Sequence, residues 1–272
     1  MTPLITDPAE LDKMRAACQA AAAALDYLAP HVRAGITTGE LDVLCKEYIA
    51  REGLESATVG YAPPGHTPFP AAICTSVNHV ICHGIPGDKV LKNGDIMNID
   101  VTVIKDGWFG DTSRMYYIGE PSIQARRLTE TTYDCMWLGI AQVRPGATLG
   151  DIGHAIQQHA EQRGFSVVRE YCGHGVGRQF HQDPQVLHYG RPGTGLTLRP
   201  GMIFTIEPML NVGRRDIRLM GDGWTVVTRD RSLSAQWEHT VLVTHDGYEI
   251  LTASPDMPPP PAFIQLAPSA TA

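Results

Sequence analysis

The chain has 272 residues, of which 43% are hydrophobic and 19% are charged, and its formal net charge at pH 7 is −7. A chain of this length can bury roughly three quarters of its unfolded surface, which is enough for one large domain or two small ones. Local basic patches aside, the negative charge argues against broad affinity for nucleic acids or anionic membranes, and no apolar run approaches the ~18 residues of a membrane span.

Four helices are predicted, and two of them begin at capping boxes. In Thr37-x-x-Glu40 and in Thr148-x-x-Asp151, the side chain at each end can bond the backbone N–H of the other. Asp7-Pro8 is also typical of a helix start, because aspartate caps the first turn and proline fits inside it. The helices are predicted for residues 9–31, 37–53, 123–143 and 148–164.

Strands are predicted where β-branched and aromatic residues cluster between turn residues, at 72–77, 96–104, 108–117, 166–171, 202–210, 223–228 and 235–244. Helical pairs precede strands twice over, which predicts an α+β fold with helices outside a curved and mostly antiparallel sheet. From Pro255 onward the sequence is rich in proline and alanine. We therefore predict a single domain over residues 1–253 and a disordered tail over residues 254–272.

The six cysteines are scattered without Cys-x-x-Cys pairs, which favours reduced thiols over a disulfide framework or a structural zinc site. Residues 2–10 contain acids and prolines instead of the basic and apolar segments of a secretory signal. Both observations predict a cytoplasmic protein.

Two segments of the chain repeat in the same order. Residues 91–100 (LKNGDIMNID) and 198–207 (LRPGMIFTIE) share leucine, a basic residue, glycine and two isoleucines in step, and both end in an acid. Residues 32–41 are echoed in the same way by residues 143–152. Only two copies exist, which predicts pseudo-twofold duplicated halves within one domain and argues against a solenoid, which needs at least three repeats.

The first acid pair can be placed by the turn between its strands. If the hairpin loop is Asp106-Gly107, Asp111 faces Thr102 and lies diagonal to Asp100. If the loop is Lys105-Asp106, Asp111 faces Asp100 directly. Because side chains alternate along a strand, either two-residue loop places both aspartates on one face, whereas a three-residue loop would separate them.

The acids and one histidine form a set. Asp100 and Glu207 lie inside apolar strands, where an unpaired charge is costly, and Glu238 leads into another. An isolated acid or histidine is more often a structural residue. Together with Asp111 and His174, however, these acids make an oxygen-rich donor set that suits Mn²⁺, Fe²⁺, Co²⁺ or Zn²⁺. Four carboxylates nearly balance two such ions, an arrangement typical of metal-assisted hydrolysis.

Two histidines lie among small residues, His174 in GHGVG (173–177) and His83 in CHGIP (82–86). We interpret the small neighbours as space for a ligand or substrate beside each imidazole. A hydrogen-bonded core or turn position is the alternative for each histidine taken alone.

Residues 9–253 resemble type I methionine aminopeptidases, metallopeptidases of the pita-bread fold. The resemblance rests on six motifs in order: NHVICHGIP (78–86), GDIMNIDVT (94–102), GDTSRM (110–115), YCGHGVGRQFH (171–181), FTIEPML (204–210) and SAQWEHTVLVT (234–244). It implies a pita-bread catalytic domain that removes the initiator methionine from nascent proteins and prefers a small second residue.

The resemblance also implies how the site is built. Two divalent metal ions, of the Co, Mn, Fe, Zn or Ni class, are expected on five ligands: Asp100, Asp111, His174, Glu207 and Glu238. In family terms Asp111 and Glu238 bridge the ions, and a bridging hydroxide attacks the scissile carbonyl. Glu207 is expected to shuttle the proton, His181 to stabilise the oxyanion and His83 to contact the scissile amide as a donor. Support of the metal ligands is the alternative role for both histidines.

The methionine pocket implied by the resemblance is lined by His83 and by Tyr61, Phe69, Cys74, Phe180 and Trp224, since aromatic edges and a soft thiol suit a thioether. Ordinary core packing is the alternative for these aromatics. The segment 61–69 is a few residues longer than the usual loop, which bears on substrate range. Asn78, Val80 and Ser234 match positions that hold a monovalent cation in some relatives.

The expected partners are nascent polypeptides with N-terminal methionine and, transiently, the ribosome; we expect a monomer with no membrane or specific nucleic-acid partner. Two alternatives remain. One is a pita-bread peptidase specific for X-Pro bonds, although such enzymes usually carry a large extra domain before the catalytic half. The other is a non-catalytic binding protein of the same fold, although such relatives have lost ligands that this chain retains.

Overall fold

The computed structural model describes residues 2–264. Its four α-helices are α1 Pro8–Leu28, α2 Thr38–Arg51, α3 Ile123–Ile140 and α4 Leu149–Gln162, and a 3₁₀ turn, Ala29–His31, extends α1. Both capping boxes form, because the N–H of Thr37 donates to Glu40 and the N–H of Thr148 donates to Asp151, each at 2.7 Å. All four predicted helices are confirmed, and their ends differ from the predictions by a few residues.

The strands are shorter and more numerous than predicted. In chain order they are β1 Glu55–Ser56, β2 Ile73–Val77, β3 Val80–Cys82, β4 Ile96–Lys105, β5 Trp108–Tyr117, β6 Ser166–Val167, β7 Gly173–Gly175, β8 Gln182–Val186, β9 Ile203–Ile206, β10 Met209–Asn211, β11 Ile217–Leu219, β12 Val226–Thr228, β13 Ser234–Gln236, β14 His239–Val243 and β15 Tyr248–Ile250. Two predicted strands, 202–210 and 235–244, are each broken in two, and the strand predicted for 166–171 ends at Val167.

The described strands form four sheets, in which every pairing is antiparallel. The first contains β1, β4 and β2, with β5 also paired to β4, and the largest has the order β15-β14-β9-β7-β8. Two small sheets have the orders β13-β10-β6 and β11-β12-β3, and the second of them joins β3 to strands that come much later in the chain. A single bridge, Ser113 to Glu238, links β5 to the segment between β13 and β14.

Each helix pair covers strands that follow it. One cluster of buried side chains joins α1 and α2 to β2 and β4, and includes Leu25, Leu41 and Ile99. A second cluster joins α3 and α4 to β9, β10, β13 and β14, and includes Trp137 and Phe204. The two halves therefore repeat the same layered plan, which is what the sequence repeat predicts.

The packed part of the chain extends beyond the boundary predicted at residue 253. Ser254 donates a hydrogen bond to Asp26, Met257 packs on the second core cluster, and the hydroxyl of Tyr133 donates to the carbonyl of Pro258. The prediction of a disordered tail is therefore wrong for residues 254–258, because buried groups of the domain bind them. Residues 265–272 lie outside the described residues.

Within residues 2–264, none of the helices has the length and apolar character needed to cross a lipid bilayer. All six cysteines are free thiols, and five of them are buried.

Candidate metal centre

The β4–β5 hairpin places the first two acids. Asp106 and Gly107 have φ of 52° and 77°, as a type I′ turn requires, and Thr102 pairs directly with Asp111. This is the first of the two registers considered from the sequence, with Asp100 diagonal to Asp111. Both carboxylates consequently project from the same face of the hairpin.

The other two acids lie where strands are interrupted. Glu207 follows β9 and precedes Pro208, which has no N–H to continue the ladder. Glu238 lies between β13 and β14 and bridges to Ser113 on β5. These breaks turn the two glutamates towards the aspartates of the hairpin.

The acids and His174 converge. Asp100, Asp111 and Glu238 each offer an oxygen within 4.8 Å of those of the other two. Nε2 of His174 lies 3.4 Å from Oδ2 of Asp111 and 3.7 Å from Oε1 of Glu207. Nδ1 of His174 lies 3.1 Å from the carbonyl of Gly175, to which it can donate, and this leaves Nε2 free to act as a ligand.

The glycines beside the histidines have a different purpose from the one inferred from the sequence. A Cβ at Gly173 would lie 2.3 Å from the carbonyl oxygen of Thr205, and one at Gly175 would lie 2.1 Å from that of Asp183. A Cβ at Gly84 would lie 2.2 Å from the carbonyl oxygen of Thr75. The interpretation of these glycines as space for a ligand is therefore wrong, since neighbouring backbone occupies that space.

Neutral polar groups hold the ligands in place. The hydroxyl of Thr102 donates to Asp111, and that of Thr205 donates to Glu207, both at 2.7 Å. Gln236 donates to the second oxygen of Glu207 at 3.1 Å. Of these residues only Thr102 is predicted from the sequence, as a register partner of Asp111. Thr205 and Gln236 stand two residues before Glu207 and Glu238, so strand alternation is the signal that could have found them.

His188 is a further group that the sequence analysis missed. It is fully buried, and its Nε2 accepts a hydrogen bond of 3.1 Å from the backbone N–H of Glu207. Burial lowers the pKa of His188 to about 3, so the ring is neutral and can accept. No local pattern signals this contact, because the residues lie 19 positions apart.

The acids lack cationic partners. Within residues 2–264, no lysine or arginine nitrogen lies within 4.0 Å of an oxygen of Asp100, Asp111, Glu207 or Glu238, and His174 is the one base in reach. Burial raises the pKa of Asp100 and of Glu238 well above the usual range, and Asp111 raises both further. Burial also raises the pKa of Glu207, to about 7. Such a cluster needs positive charge, which divalent metal ions provide, so the donor set fits them.

The pKa of His174 is also raised, but its neighbours are the cause and not burial. Burial by itself opposes its charged form, but the hydrogen bond to Asp111 and the charge of Glu207 raise its pKa to about 9. The acids thus stabilise a positive charge in their midst, here the proton on the His174 ring.

The two histidines predicted to face the substrate line the same cavity as this cluster. His83 has a backbone φ of 55°. A positive φ is uncommon for residues other than glycine, and such residues are often found at functional sites. Burial lowers the pKa of His83 to about 4. His181 is exposed at the cavity mouth with its ring 4.3 Å from that of His174, and the protein around it and the charge of His174 lower its pKa. Both imidazoles are therefore neutral near pH 7.

One cavity of about 350 Å³ contains the predicted divalent-metal, catalytic and methionine-pocket positions. Its lining includes the five expected ligands, both substrate-facing histidines and the expected pocket residues Tyr61, Phe69, Cys74, Phe180 and Trp224. Phe69, Cys74 and Trp224 form a small buried cluster against which Tyr61 packs. Pro63 and His66, from the longer segment 61–69, also line the cavity and were not predicted.

The sequence profile of metallopeptidase family M24 matches residues 12–245. The chain is 57% identical to the methionine aminopeptidase of Rickettsia prowazekii (strain Madrid E), over 95% of this chain and 100% of the relative. It is 54% identical to the methionine aminopeptidase of Escherichia coli (strain K12), over 93% of this chain and 94% of the relative.

Solved structures have the same architecture. A crystal structure of methionine aminopeptidase from Rickettsia prowazekii matches with a TM-score of 0.89 and 56% identity, over 93% of this chain and 100% of that chain. The prolidase from Pyrococcus horikoshii OT3 matches with a TM-score of 0.72 at 20% identity, over 92% of this chain and 64% of that chain. At 20% identity the similarity shows the fold alone.

Proposed function

The chain belongs to metallopeptidase family M24, and we propose that it is a methionine aminopeptidase, which removes the initiator methionine from proteins whose second residue is small. The resemblance drawn from the sequence and the α+β pita-bread fold are confirmed. The observation that carries the function is the 54–57% identity to enzymes of this name over nearly the whole chain. Neither the X-Pro peptidase nor the binding protein is favoured.

The five converging side chains are the metal ligands. We expect Asp100, Asp111, His174, Glu207 and Glu238 to hold two divalent ions, with Asp111 and Glu238 shared between them. The buried acids with raised pKa values support this assignment, because two divalent charges offset four carboxylates. When bound, such ions supply Lewis acidity that polarises the scissile carbonyl and makes water nucleophilic near neutral pH.

Glu207 moves the proton. It takes a proton from the attacking water and delivers it to the leaving amine. The bonds from Thr205 and Gln236 fix both of its oxygens.

The two neutral histidines donate hydrogen bonds to the substrate. His181, at the cavity mouth, stabilises the negative charge that develops on the carbonyl oxygen. His83, held in its left-handed backbone conformation beside the acids, donates to the scissile amide. Each lines the same cavity as Glu207.

The methionine side chain enters the aromatic end of the cavity. The rings of Phe69 and Trp224 meet edge to face with their centroids 5.3 Å apart, and the ring centroids of Tyr61 and Phe180 are 5.0 Å apart. The thiol of Cys74 lies in the same cluster, and burial raises its pKa, which keeps it neutral and apolar. A thioether packs well against aromatic edges and a neutral thiol.

The proposed activity comes with expected partners, a cellular location and an oligomeric state. Nascent polypeptides with N-terminal methionine are the partners, met in the cytoplasm during transient contact with the ribosome, and the enzyme works as a monomer. Asn78, Val80 and Ser234 are candidates to hold one monovalent cation; the N–H of Ser234 donates to the carbonyl of Asn78. Size measurement in solution and elemental analysis check the monomer and the ions.

Release of methionine from the tripeptide Met-Ala-Ser tests the function. We expect release that a chelator abolishes and that added Mn²⁺, Co²⁺, Fe²⁺, Ni²⁺ or Zn²⁺ restores in part or in full, with much slower release from Met-Leu-Ser. Cleavage of Leu-Pro with no release from Met-Ala-Ser would favour the X-Pro peptidase. No cleavage of either peptide with any ion would favour the binding protein.

A further inference from the structure

The phenol of Tyr61 contacts the imidazole of His181, although the two residues lie 120 positions apart. Its hydroxyl is 2.9 Å from Nδ1, and the two ring centroids are 5.3 Å apart at 37°. We propose that Tyr61 is a positioning residue for His181, whose hydroxyl donates to Nδ1 and so keeps the proton of the neutral ring on Nε2. This inference rests on the proposed function, in which His181 donates a hydrogen bond to the substrate.

Packing fixes the plane of the His181 ring but not which edge faces the substrate. The ring stacks on that of Phe180, with the centroids 4.0 Å apart, and its centroid lies 4.3 Å from that of His174. A flip of the imidazole by 180° preserves both contacts while exchanging the positions of nitrogen and carbon atoms. A hydrogen bond at Nδ1 distinguishes the two orientations, because only one places a nitrogen beside the Tyr61 hydroxyl.

The direction of the bond follows from the chemistry of the two groups. A phenol O–H is a strong donor, while the phenol oxygen is a weak acceptor because its lone pair is delocalised into the ring. A neutral imidazole carries one N–H and one acceptor nitrogen. With Nδ1 as the acceptor, Nε2 must carry the hydrogen. That is the form needed to donate to a developing oxyanion.

The loop 61–69 holds Tyr61 for this purpose. Its base is closed by two backbone bonds, from Gly60 to Phe69 at 2.8 Å and from Phe69 to Tyr61 at 2.9 Å. Its tip is tied to the methionine pocket, because the indole N–H of Trp224 donates to the carbonyl of Thr67 at 2.8 Å. A compact loop anchored at its base and at its tip leaves Tyr61 little freedom to turn away from His181.

Substitution of Tyr61 by phenylalanine keeps the ring in the pocket wall and removes only the hydroxyl. We expect Tyr61→Phe to lower kcat for Met-Ala-Ser about tenfold, as loss of a hydrogen-bonding neighbour of a site residue does, with KM within about twofold. Because Tyr61 acts through His181, Tyr61→Phe should add no further loss in a His181→Ala background. An equal tenfold loss in both backgrounds, or a change in KM alone, would overturn the proposal.

The tautomer of His181 gives a readout that does not depend on turnover. In protein loaded with diamagnetic Zn²⁺, ¹⁵N spectra of the His181 ring should show a hydrogen on Nε2 in the wild type and a mixture of tautomers in Tyr61→Phe. A wild-type ring with its hydrogen on Nδ1 would refute the assignment. If the wild type released no methionine, the proposed function would fail while this measurement still decided the role of Tyr61.

A matched control separates the hydroxyl from general effects of losing a tyrosine oxygen. Tyr48 lies on α2 and stacks on Tyr27 at 4.8 Å, away from the cavity lining. Tyr48→Phe should keep both the kcat and the His181 spectrum of the wild type. If Tyr61→Phe failed to fold, a wild-type ¹⁵N shift of Nδ1 typical of a nitrogen that accepts a hydrogen bond would support the proposal, and a shift typical of a free lone pair or of a protonated Nδ1 would overturn it.

Discussion

Two regions of the molecule contribute acids to the same cluster in different ways. In the β4–β5 hairpin, Asp100 and Asp111 lie within unbroken ten-residue strands, and the register alone places them on one face. In the second half, Glu207 and Glu238 lie at breaks between short strands. A regular ladder therefore suffices to position a ligand, but a residue at a break needs other groups to fix it.

The hydrogen bonds follow this difference. Apart from its contact with His174, Asp111 is held by one hydroxyl, that of its cross-strand partner Thr102. Glu207 is held by Thr205 and Gln236 at its carboxylate and by His188 at its backbone N–H. At Glu207 side-chain bonds from three separate segments thus replace the backbone ladder.

Loss of a shared ligand from either region should have the largest effect. Asp111→Asn in the hairpin and Glu238→Gln at a break should each lower methionine release by on the order of 10³-fold or more, beyond the 10–100-fold that follows loss of a ligand's hydrogen-bonding neighbour. Both should also reduce bound metal, measured by elemental analysis. Full metal content in either variant would contradict the role of that residue as a shared ligand.

The next largest effect should come from a group of the second region that binds no metal. His181→Ala should lower kcat for Met-Ala-Ser by on the order of 10²–10³, because an oxyanion donor acts chiefly in the transition state. Steady-state kinetics with unchanged metal content test this. A rise in KM with kcat unchanged would assign His181 to ground-state binding.

The supporting threonines allow a direct comparison of the two regions. Thr205 donates to Glu207 and also accepts from the N–H of His174 at 2.9 Å, whereas Thr102 supports Asp111 alone. Thr205→Val should lower metal affinity by about 10–100-fold, and Thr102→Val by less than Thr205→Val. Competition with a chelator measures both, and Thr132→Val, a buried helix position remote from the cavity, is the control. Equal losses of metal affinity in Thr205→Val and Thr102→Val would contradict the idea that a ligand at a strand break depends more on supporting side chains than a ligand within a regular ladder.

The smallest predicted effect is on the stability of the metal-free protein. Burial and then Asp111 raise the pKa of Asp100, so the folded chain holds protons that the unfolded chain loses above about pH 4. Stability must therefore fall as pH rises from about 4 through the raised pKa. In chelator, Asp100→Asn should match the wild type near pH 4 and melt several degrees higher at pH 8.

Added divalent metal should reverse that order at pH 8, because the asparagine variant has lost a ligand and gains less from binding. Thermal melts with and without metal are sufficient for this comparison. A variant that melts below the wild type at pH 8 in chelator would show that repulsion among the acids does not destabilise the metal-free fold.

The hairpin and the strand breaks also differ in how well the sequence predicts them. The helices and the β4–β5 hairpin could be predicted because capping boxes and the Asp-Gly turn act through neighbouring atoms. The breaks at Glu207 and Glu238 could not, since both segments are apolar enough to be predicted as continuous strands. Pro208 was the available local sign of the first break.

The sequence by itself determined the residue types of the site and the family to which the chain belongs, while the structure selected one of the hairpin registers that the sequence left open. Only the tertiary structure decided that His188 binds the backbone of Glu207, that glycines beside His174 admit neighbouring strands, and that Tyr61 reaches His181. The physical reason is range: turns and caps depend on steric and hydrogen-bonding preferences of adjacent residues, whereas these contacts join distant segments that meet only when the core packs.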